Sequence, residues 1–294
     1  MKSRILVTGC NGQVGKELRR LSVDFPEFDF VFLSREDLPI HHFEVVRNSF
    51  EAWKPSFCVN CAAYTAVDRA ESERELAFQV NGEAVGVLAA VCKERNCRLI
   101  HISTDYVFDG SGTRPYTETD AVNPQSVYGA SKLEGERLAL KLNPETVILR
   151  TSWVYSEYGK NFVKTMLKLM AEMPAISVVN DQIGSPTYAG DLAEAILRII
   201  QNWDRYLAQG SVSGIYHFSN HGVISWWEFA CEIASQSGLR IPVHPITTEQ
   251  YPTPARRPAY SVLDKSKFAN RFSLPVRDWK SALTDCLSRI KKAP

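Results

Sequence analysis

Residues 5–18, ILVTGCNGQVGKEL, decide the fold of this chain. A short apolar run ends in three glycines, Gly9, Gly12 and Gly15, at G-x-x-G-x-x-G spacing before an amphipathic segment. Glycines at this spacing let the backbone turn tightly from strand to helix, approach a pyrophosphate, and pack the helix on the strand. Free N–H groups at the start of the helix would face the anion. The stretch therefore predicts a dinucleotide-binding turn between a first strand and a first helix.

The rest of the first half repeats this strand-then-helix pattern. Short apolar runs alternate with longer amphipathic stretches, which is typical of a parallel sheet covered by helices on both faces. The runs are residues 4–7, 30–33, 57–60, 99–102 and 147–149, and the amphipathic stretches include residues 14–21, 45–53 and 83–93. Right-handed crossovers then give an α/β class protein with a doubly wound, parallel-sheet Rossmann fold.

The pattern loosens after Arg150, where scattered prolines and glycines and aromatic helical segments follow. We expect residues 1–152 to form the dinucleotide-binding domain. Residues 153–294 should form mainly a smaller, mixed α/β substrate-binding region that closes over the carboxyl ends of the strands. The boundary is soft, because later segments can return to the first domain.

Composition limits the classes of partner. The 294 residues are 45% hydrophobic and carry a formal net charge of +1, which indicates a globular protein without a polyelectrolyte surface. We therefore expect neither nucleic acid nor a membrane as partner. The opening MKSRILVTG turns to glycine too early for a leader, so we expect a cytoplasmic protein. Seven cysteines fit reduced thiols, and Cys58 and Cys61 would point to opposite faces of a strand, so no metal site is predicted.

Cofactor choice depends on the end of the second strand. A carboxylate there would bind the ribose 2'-hydroxyl of NAD, whereas an arginine accommodates the 2'-phosphate of NADP. The sequence has FLSRED, in which Ser34 and Arg35 precede Glu36 and Asp37. The order favours NADPH and leaves NADH open.

Two further segments carry reducing chemistry. The fourth strand runs into HISTDYVFDG and brings Thr104 and Asp105 to the carboxyl edge of the sheet, while VYGASKLEGE places Tyr128 and Lys132 one helical turn apart. A carbonyl that accepts a hydride needs a proton donor within reach. Tyr128 would donate, Lys132 would lower the pKa of its phenol, and Thr104 would bind the substrate oxygen. Without the glycine turn, the same pair would fit an exposed helix surface.

Six segments together resemble a known family. They are TGCNGQVG, NCAAYTAVDRAE, STDYVFDG, YGASKLEGE, RTSWVYSEYGKNFVKTML and VVNDQIGSPTYAGDLA, and they resemble the extended short-chain dehydrogenase/reductases and, within them, the dTDP-4-dehydrorhamnose reductases. Y-x-x-x-K marks only the superfamily, whereas RTSWVY followed by NFVKTML and DQIGSPT is specific to the rhamnose-pathway enzymes.

The resemblance implies an oxidoreductase that uses NAD(P)H to reduce the C4 keto group of dTDP-4-dehydro-L-rhamnose to dTDP-L-rhamnose, for cell-surface polysaccharide. Two alternatives stay open. One is another nucleotide-sugar 4-ketoreductase, of the 6-deoxytalose type, and the other is a non-catalytic, dinucleotide-binding regulatory subunit of the same superfamily.

The resemblance also implies site residues. The catalytic residues would be Tyr128, Lys132 and Thr104. The cofactor would contact Tyr128 and Lys132 together with Gly9, Asn11, Gly12, Gln13, Val14, Gly15, Arg35, Ala62, Ala63, Tyr64 and Thr65. The dTDP-sugar would contact Thr104, Asp105, Trp153, Asn161 and Arg257.

The chain departs from the family pattern at two places. Members commonly have Leu-Asp-Ile after the second strand, where this chain has Leu38, Pro39 and Ile40, so an aspartate contact to the adenine is lost. Some members dimerise through magnesium held by acidic residues near the C-terminus. This chain ends SRIKKAP and has Gly190 in the corresponding block, so we expect no structural magnesium, and a homodimer would form without it.

Other conspicuous residues have ordinary interpretations. His41 and His42 stand in a polar loop and are predicted to be exposed. Asn81 stands where the superfamily keeps a structural asparagine, although a plain helix position fits equally well. Arg256 and Arg257 could offer a planar cationic fork to a diphosphate, and a solvated loop explains them as well.

Overall fold

A parallel sheet of six strands forms the centre of the computed structural model, which describes residues 2–292. Outside the described residues lie Met1, at the start of the predicted region 1–152, and Ala293 and Pro294, at the end of the predicted region 153–294. The strands, numbered in chain order, are β1 (Ser3–Thr8), β2 (Phe28–Leu33), β3 (Phe57–Asn60), β4 (Arg98–Thr104), β5 (Val147–Thr151), β6 (Val154–Tyr155), β7 (Ile176–Val179), β8 (Ile183–Gly184), β9 (Thr187–Tyr188), β10 (Gly214–His217), β11 (Ile224–Ser225) and β12 (Val243–Ile246). The central sheet has the order β10-β5-β4-β3-β1-β2.

Helices cover both faces of this sheet. They are α1 (Gln13–Leu21), α2 (Phe43–Trp53), α3 (Val67–Ala70), α4 (Arg74–Phe78), α5 (Ala84–Glu94), α6 (Val127–Leu142), α7 (Phe162–Glu172), α8 (Ala189–Gln201), α9 (Trp203–Ala208), α10 (Trp226–Ser237), α11 (Ser266–Phe272) and α12 (Trp279–Lys292). The predicted strands and helices of the first half lie within a few residues of β1 to β5, α1, α2 and α5. The prediction of a doubly wound α/β fold is confirmed.

The sheet creates a ligand-binding edge where its strand order reverses. β1 has β2 on one side and β3 on the other, and Thr8 pairs with Asn60 at the carboxyl ends of β1 and β3. The strands are apolar on both faces because helices cover them, and Ile5, Leu6 and Val7 are fully buried. In such folds the crevice outside the strand ends, at the reversal, is where ligands bind.

One helical segment among the described residues could cross a bilayer by length and composition. It is Arg74–Glu94, in which an 18-residue window has a mean hydropathy of 1.2 and is 56% buried inside the protein. Within it, Val85, Leu88 and Ala89 are fully buried in one core cluster with β1, β3 and β4. The segment is therefore apolar because it is a core helix under the sheet.

The chain returns to the first half after leaving it. β10 pairs in parallel with β5, with Gly214 beside Val147. α8 shares a core cluster with α1, in which Leu192 and Ile196 join Leu18. One edge of the central sheet and part of one helix layer are therefore built from residues far along the chain.

The second region is smaller and mixed. β7 pairs in parallel with β12, β6 pairs in parallel with β9, and β8 pairs in antiparallel with β11. Its apolar core contains α7, α10 and α12, with Phe229 and Leu283 fully buried. β6 lies directly after β5 in the chain, which brings this region to the carboxyl edge of the central sheet.

A buried ion pair fixes β5 to α6. The guanidinium of Arg150 contacts both carboxylate oxygens of Glu136, at 2.9 Å and 2.6 Å, and the two side chains are 3% and 2% exposed. Ser103 Oγ donates to the same carboxylate at 2.5 Å. The network ties the end of β4 to the helix that carries Tyr128 and Lys132.

Candidate active site

The glycine turn has the backbone that a dinucleotide requires. Gly9 has φ +60°, and a Cβ there would stand 2.6 Å from the backbone nitrogen of Ala62. A Cβ on Gly15 would stand 2.6 Å from Cys10 Cα, so only glycine lets α1 pack against the turn. Gly12 precedes α1 and has no side chain to cap it, which leaves the first N–H groups of the helix for an anion. The turn fits a bound pyrophosphate.

A cleft of about 800 Å³ runs from this turn to the ends of β4 and α6. It is large enough for the ligands that such folds bind. It brings together fifteen of the sequence-predicted site residues: Gly9, Asn11, Gly12, Gln13, Val14, Arg35, Ala62, Ala63, Tyr64, Thr65, Thr104, Asp105, Tyr128, Lys132 and Trp153.

Three predicted site residues lie beside the cleft wall. Gly15 serves the packing of α1. Asn161 caps α7 by accepting from Lys164 N at 3.1 Å, and its Nδ2 donates to Gln13 Oε1 at 2.9 Å. Both contacts are structural, and the second ties the glycine turn to the second region.

Arg257 is the third of these residues. Its guanidinium is paired with Asp68 at 2.7 Å and lies 3.4 Å from the hydroxyl of Tyr106, a cleft residue. The neighbouring Arg256 contacts Gln125 at 3.4 Å on the exposed surface. Arg257 therefore stands at the rim of the cleft with its charge already paired, and its contact to a diphosphate stays a prediction.

Lys132 is 2% exposed, and its ammonium is turned towards β4. Nζ donates to the carbonyl of Ile102 at 2.6 Å and lies 3.4 Å from Nε2 of His101. Burial lowers the pKa of Lys132 to about 8. The residue is therefore a buried cation that can lose its proton close to neutrality.

Tyr128 has the opposite shift. Burial raises the pKa of its phenol above the ordinary value, and hydrogen bonding with the hydroxyl of Thr104 only partly opposes this. Nζ of Lys132 is directed at the Ile102 carbonyl, and its effect on the pKa of this phenol stays a prediction. The ring of Tyr106 packs edge-on against Tyr128 at a centroid distance of 5.5 Å. Tyr128 is consequently a protonated acid at neutral pH.

Thr104 and Asp105 form a pair at the end of β4. Thr104 Oγ1 donates to Asp105 Oδ1 at 3.0 Å and accepts from Tyr106 N at 3.3 Å. Asp105 is 2% exposed, and burial raises the pKa of its carboxyl to about 6, although the hydrogen bond from Thr104 opposes this shift. The single proton of the Thr104 hydroxyl is therefore shared between Asp105 and any ligand oxygen that enters.

Trp153 forms the wall of the cleft on the side of the second region. Its backbone has φ +49°, which is unusual for a residue with a bulky side chain. The indole stacks on Trp226 at a centroid distance of 3.5 Å, and a Cβ on Gly184 would meet it at 2.6 Å. The stack on Trp226 and the close approach of Gly184 hold this ring in place, and the ring lines the cleft, which suits a wall that contacts a ligand.

The loop after β3 is held by Asn81. Its Oδ1 accepts from Tyr64 N at 2.8 Å, and its Nδ2 donates to Tyr64 O and to Ser131 Oγ, each at 3.0 Å. Asn81 is fully buried in a π-helical turn, Gln79–Glu83. Of the two interpretations of Asn81, the structural one fits: it fixes a cleft-lining loop to α6.

The far end of the cleft was only partly predicted from sequence. Leu38, Pro39 and Ile40 line it and replace the lost aspartate contact with an apolar surface. His41, predicted to be exposed, is half-buried and also lines the cleft, whereas His42 is exposed. The error arose because the loop folds back on itself, which no local pattern shows.

Metal chemistry has little basis in the described residues. No group of three or more His, Cys, Asp or Glu side chains among residues 2–292 is arranged to hold a metal ion. Cys58 is buried, and Cys61 reaches the cleft, where burial raises the pKa of its thiol. A thiol of that kind is a poor nucleophile.

Comparison with known proteins gives the family. The model of the RmlD substrate binding domain matches residues 2–292. A dTDP-4-dehydrorhamnose reductase of Aggregatibacter actinomycetemcomitans is 43% identical over 288 residues, which cover 96% of this chain and 97% of that protein. The crystal structure of a dTDP-4-dehydrorhamnose reductase from Clostridium acetobutylicum superposes with a TM-score of 0.92 at 39% identity and covers 98% of this chain and 99% of that one. The enzyme of the same name from Bacillus anthracis, in complex with NADP, superposes with a TM-score of 0.91 at 38% identity and covers 98% of this chain and 100% of that one. The chain therefore belongs to the dTDP-4-dehydrorhamnose reductase family.

Proposed function

We propose that this protein uses NADPH to reduce the C4 keto group of dTDP-4-dehydro-L-rhamnose to dTDP-L-rhamnose, in dTDP-rhamnose biosynthesis for cell-surface polysaccharide. The observation that carries the proposal is the position of Thr104, Tyr128 and Lys132 in one cleft with the glycine turn. A dinucleotide held at the turn would extend along the cleft towards these side chains. Membership of the family supports the same reaction.

The side chains divide the proton chemistry between them. Bound NADPH supplies a hydride to the carbonyl carbon. Tyr128 holds its proton at neutral pH and gives it to the developing alkoxide, while Thr104 directs its hydroxyl at the same oxygen. Lys132, a buried cation whose Nζ donates to the Ile102 carbonyl, would favour the phenolate that remains after this transfer. Thr104 and Lys132 are buried and Tyr128 is half-buried, which limits the water that can compete for these protons.

The second region would hold the nucleotide sugar. We assign residues 153–294 mainly to substrate binding, with Trp153 as the stacking surface and Asp105 as a hydrogen-bond partner at the reacting end. Arg257 at the rim would help with the diphosphate if the substrate displaces Asp68. Asn161 would act indirectly, because its contacts are to Gln13 and α7.

The setting of the reaction is also a proposal. We infer a cytoplasmic enzyme that uses NADPH, because Arg35 lines the cleft beyond β2. NADH stays open as a second cofactor. It would act without nucleic acid, membrane or magnesium. Any homodimer that it forms would not depend on a magnesium ion. The small net charge of +1 supports the first two exclusions.

The decisive experiment follows nicotinamide absorbance with each cofactor and dTDP-4-dehydro-L-rhamnose, with the product identified by NMR. Tyr128→Phe should abolish oxidation of NADPH and leave the affinity for NADPH nearly unchanged. Tyr106→Phe, which removes a neighbouring hydroxyl, is the matched control and should retain turnover. Turnover in Tyr128→Phe would remove the proton-donor role, and binding of NADPH without oxidation by the wild type would favour a regulatory subunit. A product with the opposite configuration at C4 would indicate the 6-deoxytalose type.

A further inference from the structure

The loop between β2 and α2 folds back through two tight turns. Leu38 N donates to Ser34 O at 3.0 Å, and His42 N donates to Pro39 O at 3.0 Å. Leu38 is only 2% exposed and anchors the middle of the loop in the core. As a result, Arg35 from the first turn and His41 from the second both line the same end of the cleft.

This end of the cleft carries one permanent cation, Arg35, and one carboxylate, Glu36. Arg35 and His41 are close enough for the guanidinium to act electrostatically on the imidazole. Asp37 is committed to the loop itself, because its Oδ2 accepts from Ser34 N at 2.9 Å. Glu36 is the one carboxylate of this loop that lines the cleft, and it is fully exposed, so water screens it.

The surroundings of His41 add one more ionisable group. The ring of His42 lies 4.1 Å from that of His41, centroid to centroid, but His42 is exposed and does not line the cleft. The glycine turn forms the neighbouring wall, and its cleft-lining residues are uncharged. The groups that face His41 are therefore Arg35, Glu36 and His42.

We propose that His41 is a second, proton-dependent ligand for the 2'-phosphate of NADPH, beside Arg35, so that discrimination between NADPH and NADH increases as the pH falls. The inference rests on the proposed cofactor. A phosphate monoester accepts hydrogen bonds from both cations, whereas the 2'-hydroxyl of NADH gains nothing from an imidazolium.

Proton linkage decides in which direction the affinity for the 2'-phosphate changes with pH. In the free protein, burial lowers the pKa of His41 below its ordinary value, and the neighbouring His42 and Arg35 lower it further by electrostatic repulsion. A bound phosphate favours the imidazolium and raises that pKa, so binding takes up a proton. The extra affinity is present below the pKa of the bound state and is lost as the pH rises through it. Below about pH 6 the phosphate itself begins to take a proton, so the useful window lies above that value.

The test uses nucleotide fragments that report the 2'-phosphate alone. Binding of 2',5'-ADP and of 5'-AMP to the full chain is measured by calorimetry at pH 6.5 and pH 8.5. In the wild type, the affinity for 2',5'-ADP divided by the affinity for 5'-AMP should fall roughly threefold to tenfold between pH 6.5 and pH 8.5. A change of this size is expected for one partly exposed charged contact. His42→Asn, the matched control, should behave as the wild type.

Two substitutions of His41 complete the design. His41→Asn should give a low ratio that does not change with pH, and His41→Arg should give a high ratio that does not change with pH. A wild-type pH dependence in His41→Asn would overturn the proposal, because the titrating group would then lie elsewhere. Failure of 2',5'-ADP to bind more tightly than 5'-AMP at pH 6.5 would overturn it as well.

The proposed reaction can fail independently. If the nucleotide fragments behave as expected while the keto sugar is not reduced, the function is wrong and the role of His41 stands. If the sugar is reduced while His41→Asn binds both fragments as the wild type does at both pH values, the function stands and the role of His41 is wrong.

Discussion

Replacement of Asp105 by asparagine should stabilise the protein at neutral pH while lowering its activity. Asp105 is 2% exposed, and burial raises the pKa of its carboxyl from 3.8 to about 6. A shift of about 2 units corresponds to a cost of ~3 kcal/mol for holding the ionised carboxylate in the folded state at neutral pH. Asparagine keeps the acceptor for Thr104 and removes the buried negative charge, so we expect a gain of about 1–3 kcal/mol at pH 7.5.

The raised pKa of Asp105 also predicts how the stability of the protein changes with pH. The folded pKa is above the unfolded value, so the folded protein binds more protons between about pH 4 and pH 6. The stability of the wild type therefore falls as the pH rises through this window. At pH 5 roughly half of the penalty is present, so the advantage of Asp105→Asn should be about half of its value at pH 7.5.

Urea denaturation of both proteins at pH 5 and pH 7.5 measures this difference. Asp109→Asn is a control in the same loop, because hydrogen bonds from Ser111 and Tyr116 lower the pKa of Asp109. That control should lose a similar amount of stability at pH 5 and at pH 7.5, because both values lie above the pKa of Asp109 in the folded and the unfolded state. An equal advantage of Asp105→Asn at both pH values, or a loss at pH 7.5, would refute the assignment of a raised pKa.

Three further substitutions follow from packing and hydrogen bonding. Gly184→Ala places a Cβ 2.6 Å from the indole of Trp153 and should cost ~1–3 kcal/mol of stability. In steady-state kinetics the KM for the keto sugar should rise at least about tenfold. An unchanged KM would contradict the role of Trp153 in substrate binding. Arg150→Met leaves Glu136 buried and unpaired and should cost about 3–5 kcal/mol in urea denaturation. Adding Glu136→Leu should recover part of that loss, and no recovery would argue against an isolated charge as the cause. Asn81→Ala removes three hydrogen bonds and should lower the free energy of unfolding by about 2–4 kcal/mol, measured by thermal denaturation. A loss below about 1 kcal/mol would show that other contacts hold the loop after β3.

Features set by local sequence were predictable. Gly9 and Gly15 need no other information, because a turn that excludes Cβ atoms accepts little besides glycine. Thr104 and Tyr128 could be placed at one site because parallel strands end at the same edge, although they are distant in the chain. Asn161 also carried a readable signal, since an asparagine directly before an apolar helical run is a typical N-cap.

Other features depend on distant contacts or on burial. Arg257 meets Asp68 across 189 residues, and no spacing rule reaches that far. The charge state of Asp105 depends on its exposure rather than on its neighbours in sequence. The position of His41 depends on two consecutive turns, whose hydrogen bonds fix the direction of the loop. In each of these cases the residue type was visible and its environment was not.

The pairing of β10 with β5 has a consequence for how the chain is made. When a ribosome has completed β5, the edge of that strand is open, and it stays open until Gly214–His217 has been synthesised. At typical translation rates this takes on the order of several seconds, during which α1 also lacks its partner α8. An open parallel edge is a template for pairing with other chains. A fragment that stops near residue 152 should therefore aggregate rather than form an isolated nucleotide-binding unit, and nascent chains of intermediate length should be the species that engage chaperones.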